Sequence, residues 1–319
     1  MQYTHPAIER EEQLATLQKY GLGVKDKSFA LRVLQSISYF RIACYLKYYE
    51  VAEHQYKFGS DFADGVRLYV FDNELKGILF KAIQDVEVAL RTRMIHYISI
   101  EQGPFWFMTE SCFSDNDQFR GNLEKLRTEL KRSKEDFISE HMQKYDSPTM
   151  PPAWKTMEVA SLGTLSKIYE SLETTGAKKE IAYSFGLPQY KYLESWNRSV
   201  TVLRNCLAHH ARVWNRRFTV KPQMPDYLPG KWIGNAGKVR QQKLYAQLCV
   251  LAYMEQTISP NCDFVKQIVD LIHHHPEVDV KAMGFPNGWE DEPLWNVNKE
   301  MKELTIWKKI KSVFVRTVS

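Results

Sequence analysis

The stretch FDNELKGILFKAIQDVEVALRTRM, residues 71–94, decides the fold class. Leu75, Leu79, Ala82, Val86 and Ala89 recur at intervals of three and four, and Ile95 extends the series. That is the period of one helix face, not the alternation of a strand. With no proline and one glycine, Gly77, the spacing predicts a helix over 72–101, ended by Gly103-Pro104. The same period recurs on both sides. Residues 7–20 and 27–38 read as helices parted by Gly21-Leu22-Gly23, and 117–143 as a polar, highly charged helix. SPTMPPAW, 147–154, reads as an extended loop, because residues before prolines avoid the helical region. Further helices are expected from about Trp154 to Leu172 and at 177–185, 188–195, 239–258 and 262–274. Residues 219–238 hold three prolines and three glycines and predict an irregular connector with room for a short hairpin. Segment 299–314 carries Met301, Leu304, Trp307 and Ile310 on one face and reads as a helix docked on the domain rather than on a membrane. The expectation is an all-α helical bundle over 1–218, with a C-terminal helical extension over 219–319.

Composition narrows the class. The chain has 319 residues, 44% hydrophobic and 25% charged, the profile of a globular protein. The opening MQYTHPAIEREEQ lacks the apolar core of a secretory signal, and no apolar run approaches the roughly 18 residues of a membrane span. Five scattered cysteines, none in a CxxC pair, argue against a disulfide framework or a zinc ribbon and suit a reducing cytosol. A cytoplasmic protein is expected. His273-His274-His275 points three ways on a helix with no ligand-spaced partner, so these read as surface histidines, and no metal or cofactor is expected. The net charge is +5, unevenly spread. From Arg204 to Lys243, nine Lys or Arg face one acid, Asp226, and the remaining chain is slightly acidic. Such a basic island suits a polyanion.

The island opens with RNCLAHHARVWNRR, residues 204–217: four arginines, two adjacent histidines and no acid. Laid on one helix over 198–217, Leu203, Leu207, Ala211 and Trp214 form the core stripe. Asn205, His209, Arg212 and Arg216 share the opposite face within a fan of about 60°. Arg204 lies beside them and bends in. His210 points about 100° away and reads as a partly buried, structural histidine. No acid of this stripe binds a divalent metal, and no serine serves as nucleophile. Arginine with histidine suits a phosphodiester whose nucleophile is its own 2′-OH, which is RNA. His209 supplies the acid or base, Arg204 stabilises the phosphorane, and Asn205 orients the imidazole or the phosphate. Arg212, Arg216, Arg217 and Lys221 are the candidate backbone contacts. The reaction wants both an acid and a base and each chain has one well-placed histidine, so a homodimer with a composite site is expected.

These residues carry a resemblance. RNCLAHH resembles the RNxxxH motif of the HEPN superfamily of α-helical ribonucleases, placed here on Arg204, Asn205 and His209. The longer RNCLAHHARVWNR resembles the signature of the Abi-like (abortive infection) family, with Leu207 as a departure that keeps an Arg-to-His interval of four residues. SYFRIACYLKYY at 38–49, the helix ending in Leu90-Arg91-Thr92, GPFWF at 103–107 and PPAWKTMEVASLGTLSKIY at 151–169 are similar to that family too. The last segment holds Glu158, Ser161, Gly163 and Thr164 of an E-x-x-S-x-G-T pattern. The resemblance spans about residues 10–218. It implies a HEPN-type bundle, a metal-independent endoribonuclease in phage defence or a toxin–antitoxin system, and a small noncoding RNA as a possible partner.

Two other readings stay open: a noncatalytic protein that holds a structured RNA on the same basic stripe, and a subunit masked by a protein antitoxin. Glu158 is a candidate to hold Arg204 or Arg212 in place. Arg91 and Arg93 read as ion-pair partners of Asp85 and Glu87 rather than as substrate contacts. Tyr39, Phe40, Tyr45, Tyr48 and Tyr49 read mainly as core, with one or two free to stack on bases.

Overall fold

The structure, a computed structural model, describes residue 2 and residues 6–297. Segment 299–314 lies outside the described residues. Helices dominate: α1 (Arg10–Lys19), α2 (Lys27–Ser36), α3 (Tyr39–Leu46), α4 (Phe62–Gln102), α5 (Asn116–Arg132), α6 (Asp136–Lys144), α7 (Ala153–Thr156), α8 (Leu162–Ser171), α9 (Gly176–Ser184), α10 (Tyr190–Ala208), α11 (Leu244–Ile258), α12 (Phe264–His274) and α13 (Val280–Met283). The one sheet among the described residues is an antiparallel pair, β1 (Glu50–Ala52) and β2 (Gln55–Tyr56), with Glu50 opposite Tyr56. The fold is all-α, as expected.

The chain forms two compact units. The first runs to Gly77 and includes His274–Val278. Leu14 and Leu17 of α1, Ala30 and Leu34 of α2, and Ile42 and Leu46 of α3 build its core with Phe62. Helix α3 and the hairpin were not expected. Aromatic residues crowd 39–49 and hide the period, but Ser38 caps α3 by accepting the Arg41 N–H. Gly65 lets α4 meet α3: a Cβ there would lie 2.5 Å from Leu46 Cδ2. Asp72 is wholly buried, accepts a 2.6 Å hydrogen bond from Tyr45 Oη and pairs with Lys76 Nζ at 2.7 Å. Of the aromatic cluster, Tyr45 is therefore core, whereas Phe40 and Tyr48 are exposed.

Helix α4 starts about ten residues earlier than its period predicts, because Asp61 and Asp64 cap it reciprocally. Asp61 Oδ1 accepts from Ala63 N–H at 3.0 Å, and Asp64 Oδ2 from Asp61 N–H at 2.7 Å. Its buried stripe is Leu75, Leu79, Ala82 and Val86, then Leu90, Met94 and Ile98; Ala89 and Ile95 are half-buried.

The second unit comprises Ile78–His273 and the chain from Asp279 on. Here α8 packs on α5 and α10, and α10 packs on α9 and α11. Three expected helices differ. The 117–143 helix breaks at 133–135 into α5 and α6, the 154–172 helix breaks where Ser161 caps α8, and the expected 188–195 helix runs on into α10. The compact units do not divide at 218. Residues Leu244 to Glu255 of α11 are all buried, Ser199 Oγ on α10 bonds Gln247 Oε1 at 2.8 Å, and Trp196 Nε1 donates to Gln223 O at 2.7 Å. The residues after 218 supply core to the same unit as the signature helix. No strand forms in 219–238; a 3-10 turn spans Ala236–Lys238.

Candidate functional site

Helix α10 carries the first half of the signature on its last turn. Leu203 and Leu207 are buried beneath it, which turns Arg204 half outward and leaves Asn205 exposed. Arg204 Nη1 donates to Asn205 Oδ1 at 3.2 Å. The helix does not continue to 217, contrary to the expectation of one helix over 198–217. It ends at Ala208, with His209 as C-cap. His210 follows in the left-handed region at φ 51°. Its N–H bonds Leu207 O at 2.9 Å and the Ala211 N–H bonds Cys206 O at 2.9 Å, the paired bonds of a Schellman stop. Glycine usually fills the left-handed position of such a stop; here a histidine does. His210 is exposed, not partly buried as expected.

Beyond the stop the chain is irregular. Val213 and Trp214 are both fully buried. On a continued helix two neighbours diverge by about 100°, so leaving the helix lets both reach the core. Arg216 N–H closes a turn on Val213 O at 3.1 Å, and Arg216 Nη1 reaches Arg212 O at 3.4 Å. Asn205 and His209 therefore keep helical spacing, and Arg212 and Arg216 do not. Arg212 and Arg216 are half-buried; His209, Arg217 and Lys221 are exposed.

A groove of about 900 Å³ runs beside this turn, walled by α5, α8 and α10. Lys125, Lys167, Arg198, Arg204 and Asn205 line it, with Glu170 as its acid. Glu170 Oε1 pairs with Arg198 Nη1 at 3.2 Å, largely in solvent. Sequence reading missed Lys125, Lys167 and Arg198. The signal for Arg198 was present, since Arg198, Thr201 and Asn205 fall at intervals of three and four once α10 is drawn from Tyr190.

The E-x-x-S-x-G-T segment builds the α8 wall. Ser161 caps α8, and Glu129 of α5 accepts from Ser161 Oγ and Thr164 Oγ1, both at 2.9 Å. At Gly163 a Cβ would meet the Thr201 methyl at 3.5 Å. Glu158 is exposed and lines a separate groove with Arg132 and Lys134, whereas Arg204 lines the α10 groove. Arg91 is a positioning residue: Nε donates to Met157 O at 2.9 Å and Nη2 to Ala160 O at 3.1 Å, with Glu87 as its ion-pair partner at 3.0 Å. Arg93 stacks 3.7 Å from the Phe185 ring centroid and has no acid partner among the described residues, and Asp85 pairs with Lys81. His273 Nε2 meets Glu290 at 2.8 Å, while His275 lies in the first unit between Glu74 and Glu277.

Helix α10 thus ends at an exposed histidine, His209, beside a cationic groove. The family model for Abi-like protein matches residues 32–215, more than half of the chain. The protein belongs to the Abi-like family. No curated protein and no solved structure matches it. The family connects the chain with abortive infection, a defence against phage. The match starts inside α2 and ends at Asn215, leaving out α11 to α13. No helix among the described residues is long and apolar enough to cross a membrane.

Proposed function

We propose that this protein is a HEPN-type, metal-independent endoribonuclease acting in phage defence. The observation that carries the reading is the last turn of α10: Arg204 and Asn205 hydrogen-bonded to each other at the end of a cationic groove, with His209 exposed on the cap. An RNA strand lies along Lys125, Lys167 and Arg198 with its phosphates toward the cations. The 2′-oxygen attacks the adjacent phosphorus, and the bond from phosphorus to the 5′-oxygen breaks. The products are a 2′,3′-cyclic phosphate and a 5′-hydroxyl. Arg204 stabilises the charge that grows on the phosphorane oxygens. His209 takes the 2′-OH proton or gives one to the leaving 5′-oxygen. A second copy related by a two-fold axis supplies the other histidine. A small noncoding RNA in the same groove would hold the enzyme inactive, as an RNA antitoxin.

The test is cleavage of RNA by purified protein in EDTA. His209→Ala should abolish cleavage and keep RNA affinity within about three-fold. Cleavage retained by that variant would refute the assignment. Tight binding with no product from the wild-type protein would favour a noncatalytic RNA-holding role, which the groove cations alone support.

A further inference from the structure

The groove that holds Glu158 has a volume of about 760 Å³ and adjoins the α10 groove, because Ser161 lines both. One face of α5 runs along the pair. Gln118, Asn122 and Lys125 line the first groove, and Glu129 and Arg132 line the second, at successive intervals of four, three, four and three. The two grooves therefore form one trough across the seam between α5 and α8. We propose that the second groove is a base-reading subsite of this trough. It takes a single-stranded RNA base that carries an exocyclic amino group and rejects uracil. The subsite rests on the RNA reading above and names which nucleotides that trough selects.

The second groove differs from the first in its charges. Arg132 and Lys134 line it together with Glu135 and Glu158. All four are exposed, and none of them forms an ion pair among the described residues. A carboxylate repels phosphate but accepts N–H donors, so the two acids suit the amino edge of a base while the two cations suit its flanking phosphates. Uracil presents a single N–H between two carbonyl oxygens, and a carboxylate repels those oxygens. Phe137 lines the same groove and supplies an apolar surface for an unstacked base. The walls are anchored from beneath. Arg91 donates to Met157 O at 2.9 Å and to Ala160 O at 3.1 Å, on either side of Glu158. Glu129 accepts from Ser161 Oγ at 2.9 Å, and Lys155 Nζ donates to Phe137 O at 3.1 Å. Glu135 is the N-cap of α6, yet its side chain makes no cap bond. A fixed frame that leaves both acids unengaged is preorganised for donors from outside the chain.

The test uses the full-length protein and short 2′-O-methyl homopolymers of adenosine, cytidine and uridine, which lack the attacking hydroxyl and cannot be cut by the proposed route. Binding is followed by fluorescence anisotropy across a salt series. The wild-type protein should bind the adenosine and cytidine oligomers on the order of ten-fold more tightly than the uridine oligomer. Glu135→Ala combined with Glu158→Ala, both exposed changes, should bring the three within about two-fold of one another without weakening the uridine oligomer. Arg132→Gln should instead weaken all three alike, lower the slope of log affinity against log salt by about 0.7 and keep the preference. A wild-type preference for uridine, or none, would overturn the proposal. So would a preference that the double variant retains while binding all three more tightly by one factor, the result of acids that merely repel the strand. No RNA binding by the wild-type protein would overturn it as well. A preference that depends on the two acids, without cleavage of ordinary RNA, would leave the subsite standing and remove the ribonuclease reading. Cleavage that His209→Ala abolishes, with no preference due to the acids, would do the reverse.

Discussion

Two histidines that are adjacent in the chain differ in backbone state. His209 ends α10 with near-helical angles, whereas His210 sits at φ 51° as the left-handed residue of the stop. An L-residue with a Cβ costs roughly 1–2 kcal/mol there relative to glycine. Of two variants that both lose the imidazole, His210→Gly should therefore be more stable than His210→Ala by up to about 1 kcal/mol in urea denaturation, the difference reduced by glycine's freedom in the unfolded chain. Equal stability of the two variants would show that the left-handed backbone there carries no cost for a residue with a Cβ. Glu255 offers a second residue-level prediction. It is buried, Oε1 has no hydrogen-bond partner among the described residues, and its pKa is pushed up to about 7 by burial first and then by Asp85. A carboxyl whose folded pKa exceeds its unfolded value keeps its full contribution below the unfolded pKa, near 4.5, and loses it as pH rises towards 7. Thermal stability should fall between pH 5 and pH 8. Glu255→Gln should flatten that fall, and an identical pH profile in the variant would count against the assignment.

Elements show what the sequence disclosed and what it concealed. The period of Leu75, Leu79, Ala82 and Val86 was enough to find α4, because a long buried stripe repeats many times. The start of α4 lay in the Asp61–Asp64 cap, a signal that apolar spacing does not contain. The end of α10 was concealed for a different reason. Its stop has no glycine, and Leu203, Leu207 and Trp214 fit a helical stripe although Trp214 reaches the core from an irregular segment. Arg204, Asn205 and His209 could be grouped from spacing because they fall before the stop; Arg212 and Arg216 could not. The join between α5 and α8 is a tertiary pairing of Glu129 with Ser161 and Thr164, 32 and 35 residues apart. Glu129→Ala removes the shared acceptor and leaves both hydroxyls without it. Stability should drop by about 1–3 kcal/mol in urea denaturation. A change within about 0.5 kcal/mol would mean that water replaces the carboxylate.

At the scale of the molecule, charge and core assign opposite importance to the residues after 218. By charge they continue the basic island, through Lys221, Lys231, Lys238, Arg240 and Lys243. By packing they are the interior of the second unit, since α11 is buried from Leu244 to Glu255 and meets α10 through the Ser199–Gln247 bond. A chain ending at 218 would take Trp232 and Tyr253 from the Trp196 ring, Gln247 from Ser199 Oγ and Gln223 O from Trp196 Nε1. Burying a side chain of that size is worth roughly 1.5–3 kcal/mol each, comparable in sum to the whole stability of a domain. The truncated protein should therefore lack a cooperative thermal transition and should aggregate, although it keeps every residue of the family signature. Circular dichroism melting and light scattering read this directly. A truncated chain that melts cooperatively as a dispersed species would show that α10 finds its core without α11.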